Sequence, residues 1–302
     1  MIARIRIAFV VLLAVVTLAA LYRFADAGTL AALHEWRDRW STLLFCLLLN
    51  VFGITLDFIC WRWMYRRCGI RVRGFTGVAI FISVLAAQLL PMQAGRLVRP
   101  DAAQRLGYGS LRNGIEAESA LLYLDLAGVA SLMSLASMWL LFPWAAPFAC
   151  VAVLLAALAS ARVASRLLGK RLAALRPELF WSAQGLITAG MRMVDRSLMG
   201  LSLFLLIRPH LPEVAYPNAL LNVLVADTLG VASGMPAGLG VAEPVLLGLL
   251  ALAELPEAHI VIAVILFRIV TSWAMMPVAW AALLYVEFIK PPAPVDPAAP
   301  TP

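Results

Sequence analysis

The sequence predicts an all-α polytopic membrane protein, and three observations carry that expectation. Of the 302 residues 63% are hydrophobic and only 14% charged, with a mean hydropathy of +0.91, whereas a soluble domain carries about a quarter charged residues. One globule of this size cannot bury that apolar excess, so lipid must solvate much of the surface. Apolar runs long enough to span a membrane, which takes about 20 helical residues, recur along the chain. Basic residues collect in short segments between those runs, as they do on the cytoplasmic side of bacterial-type membranes.

The same pattern removes other function classes. A net charge of +7 and a pI near 9.7 belong to positive-inside loops, so no nucleic-acid partner is expected. Cys46, Cys60, Cys68 and Cys150 lie in or beside apolar runs without paired spacing and read as small buried hydrophobes. His34, His210 and His259 are far apart in sequence, so neither a metal nor another cofactor is expected. The N-terminus imitates a signal peptide, with Arg4 and Arg6 before the run Ile7 to Leu21 and then Ala25-Asp26-Ala27. That run is long for an h-region, and an uncleaved first helix is expected.

Spanning runs fall at about 5–24, 41–61, 113–141, 144–161, 178–207 and 258–287. Two further runs are broken. Residues 74–91 end in Leu90-Pro91-Met92-Gln93-Ala94-Gly95, and 219–254 is interrupted by Gly234-Met235-Pro236-Ala237-Gly238-Leu239-Gly240. Proline and clustered glycine break helices, and a broken helix at membrane depth needs protein or a watery cavity to satisfy its backbone.

Charge then sets the topology. Arg62, Arg66, Arg67, Arg71 and Arg73 precede the run 74–91, and Arg96, Arg99, Arg105 and Arg112 follow it. Both clusters are expected in the cytoplasm, so 74–91 reads as a re-entrant hairpin turning at Pro91 to Gly95. Helices 113–141 and 144–161 then go out and return, delivering Arg162, Arg166, Lys170, Arg171 and Arg176 inside. Run 178–207 goes out, 219–254 forms a second hairpin from outside, and 258–287 brings Lys290 in. Only Arg23, Arg37, Arg39 and Arg208 face outside, while Arg192, Arg196 and Arg268 lie in the membrane. Both termini are expected on the cytoplasmic side of the cell inner membrane.

The expected architecture is therefore six transmembrane helices plus two re-entrant broken-helix hairpins. Residues 1–141 and 144–287 each read helix, helix, broken hairpin, helix. An odd number of crossings in each half makes the second repeat inverted, the arrangement of many transporters with a site where the breaks meet. Residues 288–302, of which 291–302 are half proline, read as a disordered cytoplasmic tail.

Ionisable groups inside a bilayer are functional candidates by default. The first break offers Gln93, Arg96 and Arg99; guanidinium suits bidentate phosphate binding, and i, i+3 spacing puts both arginines on one face. Helix 113–141 carries Glu116 and Glu118, expected to be solvated near its cytoplasmic end, and the deeper Asp125. Helix 178–207 carries Arg192, Asp195 and Arg196. Arg192 and Asp195 are expected to neutralise each other as supporting ion pairs, leaving Arg196 another carboxylate. At the second break Gly238 and Gly240 expose backbone amides, and a half-helix starting near Val241 aims its positive end at them. Glu243 falls in its first turn, and Arg268 needs a partner, with Glu243 or Asp125 available.

At these residues the chain resembles a known family. Leu90-Pro91-Met92-Gln93-Ala94-Gly95-Arg96-Leu97-Val98-Arg99-Pro100 is similar to the P-x-x-x-G-E-x-x-R-P segment of the lysylphosphatidylglycerol synthase transmembrane family. Met235-Pro236-Ala237-Gly238-Leu239-Gly240-Val241-Ala242-Glu243 is similar to its P-x-G-L-G-x-R-E segment, and Phe267-Arg268-Ile269 matches the arginine of its last helix. The resemblance covers about residues 40–287. It implies translocation of a phospholipid or lipid-linked intermediate, with two re-entrant hairpins. Departures are visible: Arg96 stands where the family has Glu, Ala242 where it has Arg, and Leu121 and Leu122 at the charged positions of an E-R-x-x-D motif that keeps only Asp125. The soluble aminoacyltransferase domain is absent, so lysyl transfer is not expected.

The leading expectation is a flippase-like protein without catalytic chemistry that holds an anionic headgroup between the two breaks. The alternatives are a non-transporting membrane subunit, or a membrane-embedded transferase, of a glycolipid or hopanoid-type pathway. Expected partners are membrane lipids, with a homo-oligomer or a lipid-biosynthesis enzyme beside them.

Overall fold

A computed structural model describes residues 34, 36–87, 95–168, 177–234, 238, 240–252 and 257–289. The expected first helix at 5–24, Gln88, Gln93, the turn at 90–94, Met235 to Ala237, Leu239 and the tail from 290 lie outside the described residues. Within them the chain is helical without a strand.

A 3-10 turn, Trp36–Arg39, leads into α1, Trp40–Arg67. Large apolar side chains face outward along it (Leu44, Phe45, Leu48, Phe52), while Cys46, Gly53, Cys60, Trp61, Met64 and Tyr65 face in. A helix apolar on both sides is at home only in lipid or a large core. Arg62, Arg66 and Arg67 belong to the last turns of α1 and not to the loop after it, because nothing in Trp61 to Arg67 breaks a helix.

Two short helices follow, α2 at Gly74–Ala87 and α3 at Val98–Arg105. Then comes α4, Leu111–Leu141, capped by Ser110, whose hydroxyl accepts from the Asn113 N–H at 3.2 Å. It is joined by a tight turn to α5, Ala146–Leu168.

The run 178–207 is not one helix. A single turn, Pro177–Phe180, gives way at Trp181 and Ser182 to α6, Ala183–Ile207. The Ser182 hydroxyl accepts from the Gly185 N–H at 3.1 Å, a cap that favours a fresh start there. Next come α7, Tyr216–Ala232, and α8, Ala242–Ala251.

The last run is also interrupted. α9, Glu257–Thr271, passes through a 3-10 turn at Trp273–Met275 into α10, Met276–Phe288. Pro277, in the first turn of α10, has no N–H to continue the ladder.

Four stretches are long and apolar enough to cross a membrane: Trp36–Arg67, Leu111–Leu141, Ala146–Val163 and Ala258–Phe288. The chain is therefore an α-helical membrane protein. α2 has 14 residues and α8 has 10; at 1.5 Å per residue both fall short of a core about 30 Å thick.

The hub is α6, which packs against α1, α4, α7 and α9. Small residues let the backbones close up, as in other helix pairs within lipid. A methyl group added at Gly200 would lie 2.9 Å from the Leu220 Cα on α7. Gly200→Val should lower thermal stability in detergent by about 1–3 kcal/mol through overpacking; an unchanged melting temperature would show that α6 and α7 can part freely. On the far side α2 lies along α10 and α3, with Phe75 edge-on to Tyr285 and Arg105 bridging Asp101 and Glu287.

Candidate functional site

The charged residues of the interior assemble around α6. Arg196 donates from Nε and Nη2 to the two Asp125 oxygens on α4 at 3.2 and 2.8 Å, and from Nη1 to Asp227 on α7 at 3.0 Å. A guanidinium makes this fork without strain because its donors lie in one plane. Asp125 Oδ2 also lies 3.7 Å from Arg96, in the turn leading into α3. The result is a line of alternating charge, Arg96–Asp125–Arg196–Asp227. It joins the residue just past the first break to the helix that precedes the second. Its middle is buried, with the Asp125 side chain 6% exposed, while its ends open to 25% at Arg96 and 35% at Asp227.

One turn away on α6, Arg192 departs from expectation. Its Nη1 lies 2.7 Å from Asp57 on α1, so Arg192 and Asp195 do not neutralise each other. The carboxylate that reaches the guanidinium comes from a facing helix, whereas the short Asp195 side chain on the same helix points across at Gly53.

Beside this line stands a closed wall. Arg99 donates from Nε and Nη2 to the Phe81 carbonyl at 3.2 and 3.1 Å, lies 3.5 Å from Glu118, and covers the Phe81 ring at 4.3 Å. Tyr65 donates to the same Glu118 oxygen at 3.0 Å. Glu116 and Glu118 are thus not solvated, being 2% and 5% exposed, because Arg112 and Arg99 neutralise them. Arg96 and Arg99 do not form one anion fork; they reach Asp125 and Glu118, two turns apart on α4. Arg99 ties α2, α3 and α4 together and leaves Arg96 as the guanidinium at the opening.

The second break makes a separate unit. Gly238 and Gly240 have φ of +69° and +78°, the left-handed region that suits glycine. A methyl group on Gly238 would lie 3.1 Å from the Gly230 Cα, so the break folds directly onto α7. Glu243 serves two partners at once: Oε2 accepts from the Gly240 N–H at 2.9 Å, and Oε1 lies 2.7 Å from Arg268 on α9. Among the described residues no ion pair connects Glu243–Arg268 to the line through Arg196. The two parts share α7, which carries Asp227 and receives the break.

Asp57 was not legible as a partner, although it is the lone charge between Arg39 and Arg62, which is itself a signal in an apolar helix. Glu118 was misjudged from its distance to the helix end, while its seven-residue spacing from Asp125 puts both on one face of α4. Among the described residues no three metal-ligating side chains gather. Comparison with known proteins adds nothing to this geometry: no family model and no curated protein matches the chain.

Proposed function

We propose that this protein translocates a phospholipid or lipid-linked intermediate across the cytoplasmic membrane. Its anionic headgroup is held at Arg96 and the two breaks while the tails stay in lipid, and no bond is made or broken. The observation that carries this reading is the line Arg96–Asp125–Arg196–Asp227, buried at its centre and open at both ends. Ionisable groups are retained inside such a protein at a cost of several kcal/mol and mark paths for polar cargo. Arg196 is held by Asp125 at 2.8 Å and by Asp227 at 3.0 Å, so it stays in place when Arg96, 25% exposed, turns to an incoming phosphate. At the second break the Gly240 N–H is taken by Glu243, which lies in turn against Arg268, so this break is held by the Glu243–Arg268 pair and not by a bare helix N-terminus.

In the topology that goes with this reading, α2 and α8 are the descending or returning limbs of re-entrant hairpins, and α6 crosses the membrane despite its charges. The two halves then form an inverted repeat, with both termini cytoplasmic. The short lengths of α2 and α8 and the resemblance of the two break segments to those of the flippase-like family, with its departures at Arg96 and Ala242, support this arrangement.

The test is movement of native anionic phospholipid between leaflets of reconstituted vesicles. Arg96→Gln should reduce the rate about tenfold or more while the fold persists, since one charge-assisted hydrogen bond contributes about 1.5–3 kcal/mol and 1.4 kcal/mol is a factor of ten. Absence of movement by the wild-type protein, for every anionic lipid supplied, overturns the reading in favour of a non-transporting subunit.

A further inference from the structure

Asp195 takes no part in the headgroup line. It falls at the centre of α6, the helix packed by α1, α4, α7 and α9. Its carboxylate lies directly against Gly53 of α1, filling the place where a methyl group on Gly53 would sit. Among the described residues it has neither a hydrogen bond nor an ion pair.

The charged and titratable groups around it are Asp57 and the Cys60 thiol from α1, Asp125 from α4, and Arg192 and Arg196 from its own helix. From α7, Asp227 holds Arg196, and on α9 Arg268 is held by Glu243. Taken together, Arg96, Arg192 and Arg196 face Asp57, Asp125, Asp195 and Asp227, one carboxylate more than guanidinium. Each guanidinium is already matched to another carboxylate, so the surplus charge rests on Asp195. Asp195 is half-buried, and a charge left without a counterion at the middle of a membrane helix is costly. A second observation concerns Arg192, 5% exposed, whose Nε–H has no acceptor among the described residues. It sits three positions before Asp195, a spacing at which side chains on a helix meet.

We propose that Asp195 is a proton-binding site, its carboxyl carrying one proton while Asp57 holds Arg192. Release of the proton leaves a carboxylate that competes with Asp57 for Arg192 through the vacant Nε–H. Proton exchange thereby acts on the contact between α1 and α6. A metal cation is disfavoured because it needs several oxygen ligands, and the neighbouring carboxylates are engaged by guanidiniums. This inference goes beyond the lipid reading and holds whatever solute moves.

The experiment is infrared spectroscopy of the full chain in lipid, following the carbonyl stretch of a protonated carboxyl as pH is raised. It needs no substrate, so failure to move lipid leaves it untouched. The wild type should show the band at neutral pH and lose it at alkaline pH; Asp195→Asn should lack it. Asp57→Asn, which restores charge balance, should also lack it, because Asp195 then pairs with Arg192 as a carboxylate. A simple structural role for Asp195 predicts no such loss. No band in the wild type, a band kept in Asp195→Asn, or a band kept in Asp57→Asn each overturns the proposal. So does a band abolished by sodium at constant pH, which would make the occupant a metal cation.

Discussion

Arg196→Met is expected to remove about 3–5 kcal/mol of stability, the usual penalty for breaking a buried ion pair from one side. The substitution keeps the length and the apolar stem of the side chain, so packing on α6 changes little. What it removes is the only group that contacts both Asp125 and Asp227 among the described residues. Asp125 would retain Arg96 at 3.7 Å, while Asp227 would have no cation among the described residues. Arg196→Lys should recover part of the loss, since an ammonium is a point charge without the fork that spans three oxygens. Combining Arg196→Met with Asp125→Asn and Asp227→Asn should recover more, because no carboxylate is then stranded. Thermal unfolding in detergent measures all three. Equal melting of Arg196→Met and the wild type would mean that water already solvates these carboxylates.

Arg268→Met should have the second largest effect, on transport more than on folding. Glu243 holds the break with one oxygen on the Gly240 amide and keeps its other oxygen on Arg268. Loss of the guanidinium removes a charge-assisted contact of about 1.5–3 kcal/mol. The equilibrium constant for holding Gly240 in this arrangement then falls roughly ten- to a hundredfold. Glu243→Gln separates the two roles, because its amide oxygen can still accept from Gly240 while the ion pair is gone. If the pair is what matters, the two single variants and the double variant should move lipid at the same reduced rate. Additive effects in this cycle would show that Arg268 and Glu243 act independently.

The helices were legible in the sequence because lipid makes the simplest demand a solvent can make. α1, α4 and α5 appear where the apolar runs lie. The interruptions were read less well. Pro277 and Ser182 each break a run that hydropathy treats as continuous, and hydropathy is blind to a missing N–H or a capping hydroxyl. In the site, the sequence left Arg268 two possible partners, Glu243 and Asp125, and only the packing of α8 against α9 selects Glu243. The mispairing of Arg192 with Asp195 has a different origin. Spacing along one helix is visible in sequence, but Asp57 lies far away in sequence and becomes a neighbour only when α1 packs on α6. Glu118 shows the same limit: its burial depends on Arg99 arriving from α3.

The three charges at the middle of α6 have a consequence for how the protein is made. Charged residues at the centre of a membrane helix oppose insertion by about 2.5–3.5 kcal/mol each, so in the proposed topology α6 cannot leave the translocon as an independent segment. The chain order supplies a remedy. Asp57 and Asp125, the counterions of Arg192 and Arg196, lie on α1 and α4, which are synthesised earlier. When α6 emerges, a groove with two carboxylates already awaits its two guanidiniums. Only Asp227 arrives later, as if to close the assembly. In that topology the order of synthesis places a counterion for each of these two guanidiniums of α6 on a helix made before it.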